Sequence, residues 1–174
     1  MSSMSKGLLL GALQVALVLS LGGKLLYDRV TRPRVWVLCQ MYDPDLPIRG
    51  RYLSEQLQFP AEGFTYKDVG KQDSTNWYAN RQWAYLEVRN GQLIAEPKGS
   101  GSAEWVHLRK NNDGTVVALS DEPVLVFIPE HAEIPQLKTR QELWVEVTVP
   151  AQGPPRPIRI GIKKDDVLVP LKFD

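Results

Sequence analysis

The sequence predicts a mainly β protein: one N-terminal transmembrane helix, then an antiparallel β-sandwich or partly open barrel with one or two short helices. Three observations predict it. The run from Gly7 to Gly23 is uncharged and mostly apolar, with Lys6 and Lys24 at its ends. After Pro33 the apolar clusters are short, rich in β-branched and aromatic residues, and bounded by turn formers. The chain also holds 13 prolines, which cut it into pieces too short for long helices.

The first element is the apolar run. At about 1.5 Å per residue it covers roughly 26 Å, slightly less than a bilayer's hydrocarbon core. Lys24 can snorkel outward while Leu25, Leu26 and Tyr27 complete the span, with Tyr27 at the depth of an interfacial aromatic. The expected order is a tail over 1–6, a transmembrane signal anchor over 7–27, a juxtamembrane linker over 28–34 and a β-rich soluble domain over 35–174. Gly7/Gly11 and Ala12/Ala16 are pairs of small residues four apart, a spacing that lets another helix approach. The rival reading is a cleaved secretory signal ending at Ser20-Leu21-Gly22, but the run exceeds a usual signal core and lacks an Ala-x-Ala site.

Strands follow in order at Val35–Gln40, Tyr52–Phe59, Trp83–Arg89, Gln92–Glu96, Glu104–Lys110, Thr115–Leu119, Val124–Ile128, Leu143–Val149, Ile158–Lys163 and Val167–Leu171. Asn90-Gly91 marks a tight hairpin, Asn112-Asp113-Gly114 a second and Asp165-Asp166 a third. Ser74–Gln82 opens with capping candidates and predicts a short helix; Glu133–Glu142 predicts a helical turn after Pro135. In the second strand, Glu55 interrupts an apolar face formed by Leu53, Leu57 and Phe59. A buried unpaired carboxylate is costly, so Glu55 is expected to find a cation or to lie at an edge.

Composition narrows the function classes. The 21 basic and 20 acidic residues give a net charge of +1, which implies neither nucleic acid nor an acidic partner surface. The single cysteine, Cys39, excludes an internal disulfide and reads as a small buried hydrophobe in its apolar strand. His107 and His131 are the only histidines and lie on different elements, so no metal site is expected. A Ser/Lys hydrolase needs a serine just after the anchor, yet none follows until Ser54. No glycine-rich phosphate cradle follows a strand, and no cofactor is expected.

Two segments are candidate interaction surfaces. The loop from Tyr42 to Tyr52 concentrates turn formers, charges and an aromatic: Asp43, Pro44, Asp45, Arg49, Gly50, Arg51 and Tyr52. Its prolines stiffen it, and the Arg49 guanidinium suits a bidentate staple to Asp43 or Asp45. The functional alternative turns Arg49 and Arg51 toward an anionic ligand or a partner's carboxylates. The second segment is the densest aromatic cluster, Trp77, Tyr78, Trp83 and Tyr85, joined by Arg81. Residues of these kinds pack cores, and where exposed they dominate interfaces.

The loop resembles the GDYxxLxY-motif family of bacterial membrane-anchored proteins of unknown function. Asp43, Pro44, Arg49, Gly50 and Tyr52 match that family's pattern, and Phe127-Ile128-Pro129-Glu130 and Glu142–Val147 resemble its later blocks. The family's motif Asp is Arg51 here, its Leu is Glu55, its last Tyr is Leu57, and an earlier Asp is Leu46. The resemblance implies a single anchor, a soluble domain outside the cytoplasm, no established enzymatic activity and a multispanning membrane protein as partner.

Flanking charge points the other way on orientation. Lys24, Arg29, Arg32 and Arg34 follow the run, opposed only by Asp28, and the positive-inside rule would keep the domain in the cytoplasm. A short tail before an apolar run behaves as a signal anchor, and together with the resemblance this makes a periplasmic domain at the bacterial inner membrane the expectation. The function expected is that of an accessory or binding protein touching lipid through residues 7–27. The alternative is an envelope hydrolase using a carboxylate in the Asp43–Glu55 region.

Overall fold

The computed structural model describes residues 3–43, 51–65, 80–129, 137 and 140–173, and the side chains of all of these except 3, 4, 41–43 and 51. The chain divides into two units, Met1–Arg32 and Pro33–Asp174.

The first unit is one helix, α1 (Ser3–Thr31). It is long and apolar enough to cross a membrane, and its most apolar stretch is not buried against protein. Two of its hydroxyls bond locally: Ser20 Oγ donates to the Leu17 carbonyl at 2.8 Å and Thr31 Oγ1 to the Tyr27 carbonyl at 2.7 Å. The helix runs further than the expected span. Asp28–Thr31 are helical, the Asp28 carbonyl accepts from the Arg32 amide at 3.0 Å, and the two side chains form an i,i+4 ion pair at 3.6 Å. The expected linker over 28–34 therefore shrinks to Arg32 and Pro33, because Pro33 disfavours helix in the residue before it.

The second unit is one antiparallel sheet that curls into a half-barrel. Its strands are β1 (Arg34–Asp43), β2 (Arg51–Pro60), β3 (Arg81–Arg89), β4 (Gln92–Glu96) and β5 (Ser102–Lys110). Then come β6 (Val116–Ser120), β7 (Val124–Ile128), β8 (Gln141–Thr148), β9 (Arg156–Lys164) and β10 (Val167–Pro170). All ten expected strands are present: six extend beyond their apolar pattern, β4 and β7 keep its bounds, β6 is shifted by one residue and β10 is one residue shorter. Arg81 and Gln82 belong to β3 and Gln141 and Glu142 to β8, so those ends of the two expected helical stretches are strand. Most of the rest of both stretches lies outside the described residues.

The strand order is β10-β9-β8-β1-β2-β6-β5-β3-β4, with β7 also on β2. Strand β2 is central. One edge pairs with β1. The other is shared: β7 takes Arg51–Glu55 and β6 takes Gln58–Pro60. Ser120 fills the gap between them, its Oγ accepting from the Leu57 amide at 3.0 Å and its carbonyl from Gln56 Nε2 at 2.9 Å.

At the far end β4 packs near β2 and β1. A parallel bridge joins Ala61 to Ala95, and the Glu62 amide donates to the Ala95 carbonyl at 2.9 Å. Strands β2, β6, β5, β3 and β4 thus form a ring. An odd number of antiparallel members cannot alternate all the way round, so its closing contact is parallel.

The hairpins are local in origin. Asn90 (φ 53°) and Gly91 (φ 76°) make the two-residue turn between β3 and β4. Asp165 (φ 48°) and Asp166 (φ 64°) do the same between β9 and β10 without a glycine. Between β5 and β6, the Asp113 carboxylate accepts from the Thr115 amide at 2.9 Å and from its hydroxyl at 2.6 Å.

Alternation sends Val35, Val37 and Cys39 of β1, Leu53, Leu57 and Phe59 of β2, and Leu143, Val145 and Val147 of β8 into one core. Each large apolar side chain among them contributes about 1.5–3 kcal/mol by leaving water. Cys39 is buried as expected. Burial, and secondarily the Glu55 carboxyl, push its thiol well above the ordinary range.

Glu55 is the departure. It is 0% exposed, in the middle of the sheet, opposite Met41 of β1 and Val124 of β7. It does not lie at an edge, and among the described residues no cation pairs with it. Both carboxyl oxygens are buried without a hydrogen-bond partner. Burial pushes its pKa from the ordinary 4.5 to about 7, offset slightly by the neighbouring Cys39 thiol. A carboxyl held there is neutral below that value, which is how the core tolerates it.

Candidate functional site

The site starts from the register of β3 on β5. Arg81 lies opposite His107 and Trp83 opposite Trp105. Ala84 and Val106, each one residue along, are fully buried, so both tryptophans stand on the outer face. They are 45% and 44% exposed, and their rings meet edge to face at 5.1 Å and 73°. Arg81 lays its guanidinium over the Trp105 ring, 4.7 Å from the centroid.

Asp121 ties these strands to the break between β6 and β7. Its amide donates to the Trp105 carbonyl at 3.1 Å. One carboxylate oxygen accepts from Arg81 Nη2 at 2.5 Å, and the other lies 2.6 Å from His107 Nε2. Burial alone would raise the Asp121 pKa, but the hydrogen bonds from His107 and Arg81 outweigh it and hold the carboxyl below its usual range. An ionised carboxylate only accepts, so His107 Nε2 carries a proton.

Glu104 lies opposite Ala84, on the other face of β5 from Trp105. Its Oε1 is out of solvent without a hydrogen-bond partner. Burial, then the charges of Glu122 and Asp121, push its pKa up to about 7. Trp83, Trp105, Glu104, Glu122, Arg81 and Asp121 line most of a surface depression of about 200 Å³.

The nearby hydroxyls are committed elsewhere: Ser120 Oγ to the Leu57 amide, and Ser102 Oγ to the Gly153 carbonyl. Among the described residues, no three His, Cys, Asp or Glu side chains gather as metal ligands would.

The sequence-predicted residues divide as follows. Arg81, Trp83 and Tyr85 share the outer face of β3, with Tyr85 half-buried against Gly99. Trp77 and Tyr78 lie outside the described residues, as do Pro44, Asp45, Arg49 and Gly50 of the loop. Asp43 ends β1 and Arg51 opens β2 opposite Ile128. Tyr52 stands edge-on to the exposed Phe127 at 5.6 Å. The expected Arg49 staple therefore falls outside the described residues.

Sequence reasoning missed Trp105, His107 and Asp121 as parts of one surface. Each is ordinary in its own segment, and only strand register brings them beside Arg81 and Trp83. A second aromatic surface was also missed, on the outer face of β1 and β8. There Arg159 lies over Trp36 at 5.5 Å while bonding Glu146 at 2.6 Å, and Lys163 lies over Trp144 at 5.2 Å. Trp36, Trp144, Leu38, Phe59, Pro60 and Leu93 help line an apolar groove of about 230 Å³.

No protein-family model, curated protein or solved structure matches this chain.

Proposed function

We propose that the chain is a single-pass membrane-anchored binding module without catalysis of its own, docking a multispanning membrane protein through the outer face of β3 and β5. The observation that carries the reading is the exposed Trp83–Trp105 pair, braced by Arg81 and Asp121. Exposed tryptophans and arginine held in fixed rotamers lose little entropy on binding and are typical anchors of interfaces. The apolar α1 helix supports anchoring, since side chains of this kind need lipid when protein does not cover them. The resemblance to the GDYxxLxY family supports a bacterial inner-membrane address with the β unit in the periplasm. Of the carboxylates open to the hydrolase reading, Glu55 is fully enclosed, while the side chains of Asp43 and Asp45 lie outside those described.

The test is co-purification in mild detergent. The wild-type chain should retain a multispanning partner, and a Trp83→Ala/Trp105→Ala variant of unchanged stability should lose it. Equal recovery with both chains refutes the docking face. A C-terminal alkaline phosphatase fusion should be active, and activity of a cytoplasmic reporter instead refutes the orientation.

A further inference from the structure

The polar side chains inside the apolar part of α1 differ in how their hydrogen bonds are met. The Ser20 hydroxyl donates to the Leu17 carbonyl of its own helix at 2.8 Å. Gln14 has no such partner. Its primary amide carries two donor hydrogens and an acceptor oxygen, and none of them is bonded among the described residues. Gln14 lies three residues from residue 17, the midpoint of the 7–27 span, about 4.5 Å along the helix axis. Hydrocarbon at that depth offers neither donor nor acceptor, so the amide stays unsatisfied until another polar group reaches it.

The same face of the helix is low. Gly7, Gly11, Gln14, Val18, Gly22 and Leu25 fall within one arc about 80° wide. A Cβ at Gly7, Gly11 or Gly22 would meet nothing within 4 Å, so no packing inside this chain requires glycine at those positions. Each glycine nonetheless weakens the helix relative to alanine. Together they leave a shallow groove beside Gln14 along which a second helix backbone can come close.

Resting on the membrane-anchored reading above, we infer that α1 pairs in the membrane with α1 of a second copy of this chain, parallel and in register, the two Gln14 amides hydrogen-bonded to each other across the glycine face. The commitment to a second copy follows from depth and from chemistry. Two copies anchored by the same segment run parallel, so each Gln14 meets its equivalent at its own depth. A primary amide both donates and accepts, so two of them are complementary about a two-fold axis. Any other helix would have to carry a polar side chain at that depth, whereas a second copy brings one by construction.

The test is sedimentation equilibrium of the full chain in density-matched detergent micelles. The wild-type chain should form a dimer that dissociates as added detergent dilutes it. Gln14→Leu should raise the dissociation constant about tenfold, and Gln14→Asn, which keeps a primary amide, should recover most of that loss. Gly11→Ile should weaken the dimer as Gln14→Leu does, whereas Ala16→Ile, on the opposite side of the helix, should leave it unchanged. A monomeric wild-type chain, an unchanged constant in Gln14→Leu, or an equal loss in Ala16→Ile overturns the inference. A chain that stays monomeric yet captures a multispanning partner through Trp83 and Trp105 sinks the helix pairing alone and leaves the docking face standing. A chain that remains dissolved without detergent sinks the anchor itself, and the pairing with it.

Discussion

Replacing Glu55 with leucine should stabilise the protein, and more so as the pH rises. The folded state holds the Glu55 proton up to about 7, against 4.5 ordinarily, so between those values the folded chain binds more protons than the unfolded one. Stability attributable to this residue therefore falls as pH rises through that window and levels off above it. The penalty works out at about 1 kcal/mol near pH 5 and about 3 kcal/mol near pH 8, from 1.36 kcal/mol per unit of displaced pKa. Leucine has a similar volume and lies naturally between Leu53 and Leu57 on the inward face, so it removes the titration without opening a cavity. Urea unfolding of the full chain in micelles, followed by tryptophan fluorescence, reads the effect. The gain of Glu55→Leu over wild type should grow by about 2.5 kcal/mol between those two pH values. Glu104 is also raised to about 7 and leaves a residual slope in both proteins, which the comparison cancels. Glu55→Gln should flatten the slope equally while remaining below the leucine variant throughout, because it keeps an unsatisfied buried amide. A leucine variant that is less stable near pH 8, or that retains the full wild-type slope, would refute the assignment of Glu55 as an uncompensated core carboxyl.

Other changes have equally definite outcomes. Gly101→Ala should lower stability by about 2 kcal/mol in the same unfolding assay, since its Cβ would lie 2.4 Å from the Leu86 carbonyl oxygen, a backbone atom that cannot step aside cheaply. Asp166→Gly should raise stability by about 0.5–1 kcal/mol, because φ of 64° suits glycine better, and the lost contact to Lys163 involves an almost fully exposed carboxylate. Asp121→Ala should cost about 2 kcal/mol at neutral pH by removing the carboxylate that Arg81 and His107 share. Asp121 has a lowered folded pKa, so its stabilisation is present above the usual carboxylate range and should disappear as the pH falls through the folded value, measured by thermal melting at several pH values.

The elements of this fold are legible because their signals are local. Asn90-Gly91 and Asp165-Asp166 set two-residue turns by backbone preference alone, and alternation in Leu53–Phe59 or Leu143–Val147 declares which face is buried. The helix is legible in existence but not in length, because charged residues such as Asp28 and Arg32 can close a helix as readily as begin a linker. Pairing is not legible. Nothing in Val116–Ser120 or Val124–Ile128 announces that both will share one edge of β2. The candidate site suffers from the same blindness. Half of it, Arg81 and Trp83, stands out within a dense aromatic segment, whereas Trp105 and Asp121 join it only through contacts remote in the chain. Glu55 marks the limit of rules about cost: the rule that a lone buried carboxylate is unfavourable holds, and the molecule meets it by keeping the proton.

The parallel bridge between Ala61 and Ala95 makes the half-barrel a zipper with one weak tooth. Every other junction in the ring is a ladder of several residue pairs, so thermal breathing begins where β4 meets the end of β2. Within the ring, the Glu62 amide, held there by its bond to Ala95, should exchange its hydrogen with water ahead of the ladder amides. When that joint parts, the hairpin of β3 and β4 swings away still hinged on β5, baring Leu93 and Ala95 while the β1–β8–β9 side keeps its pairing.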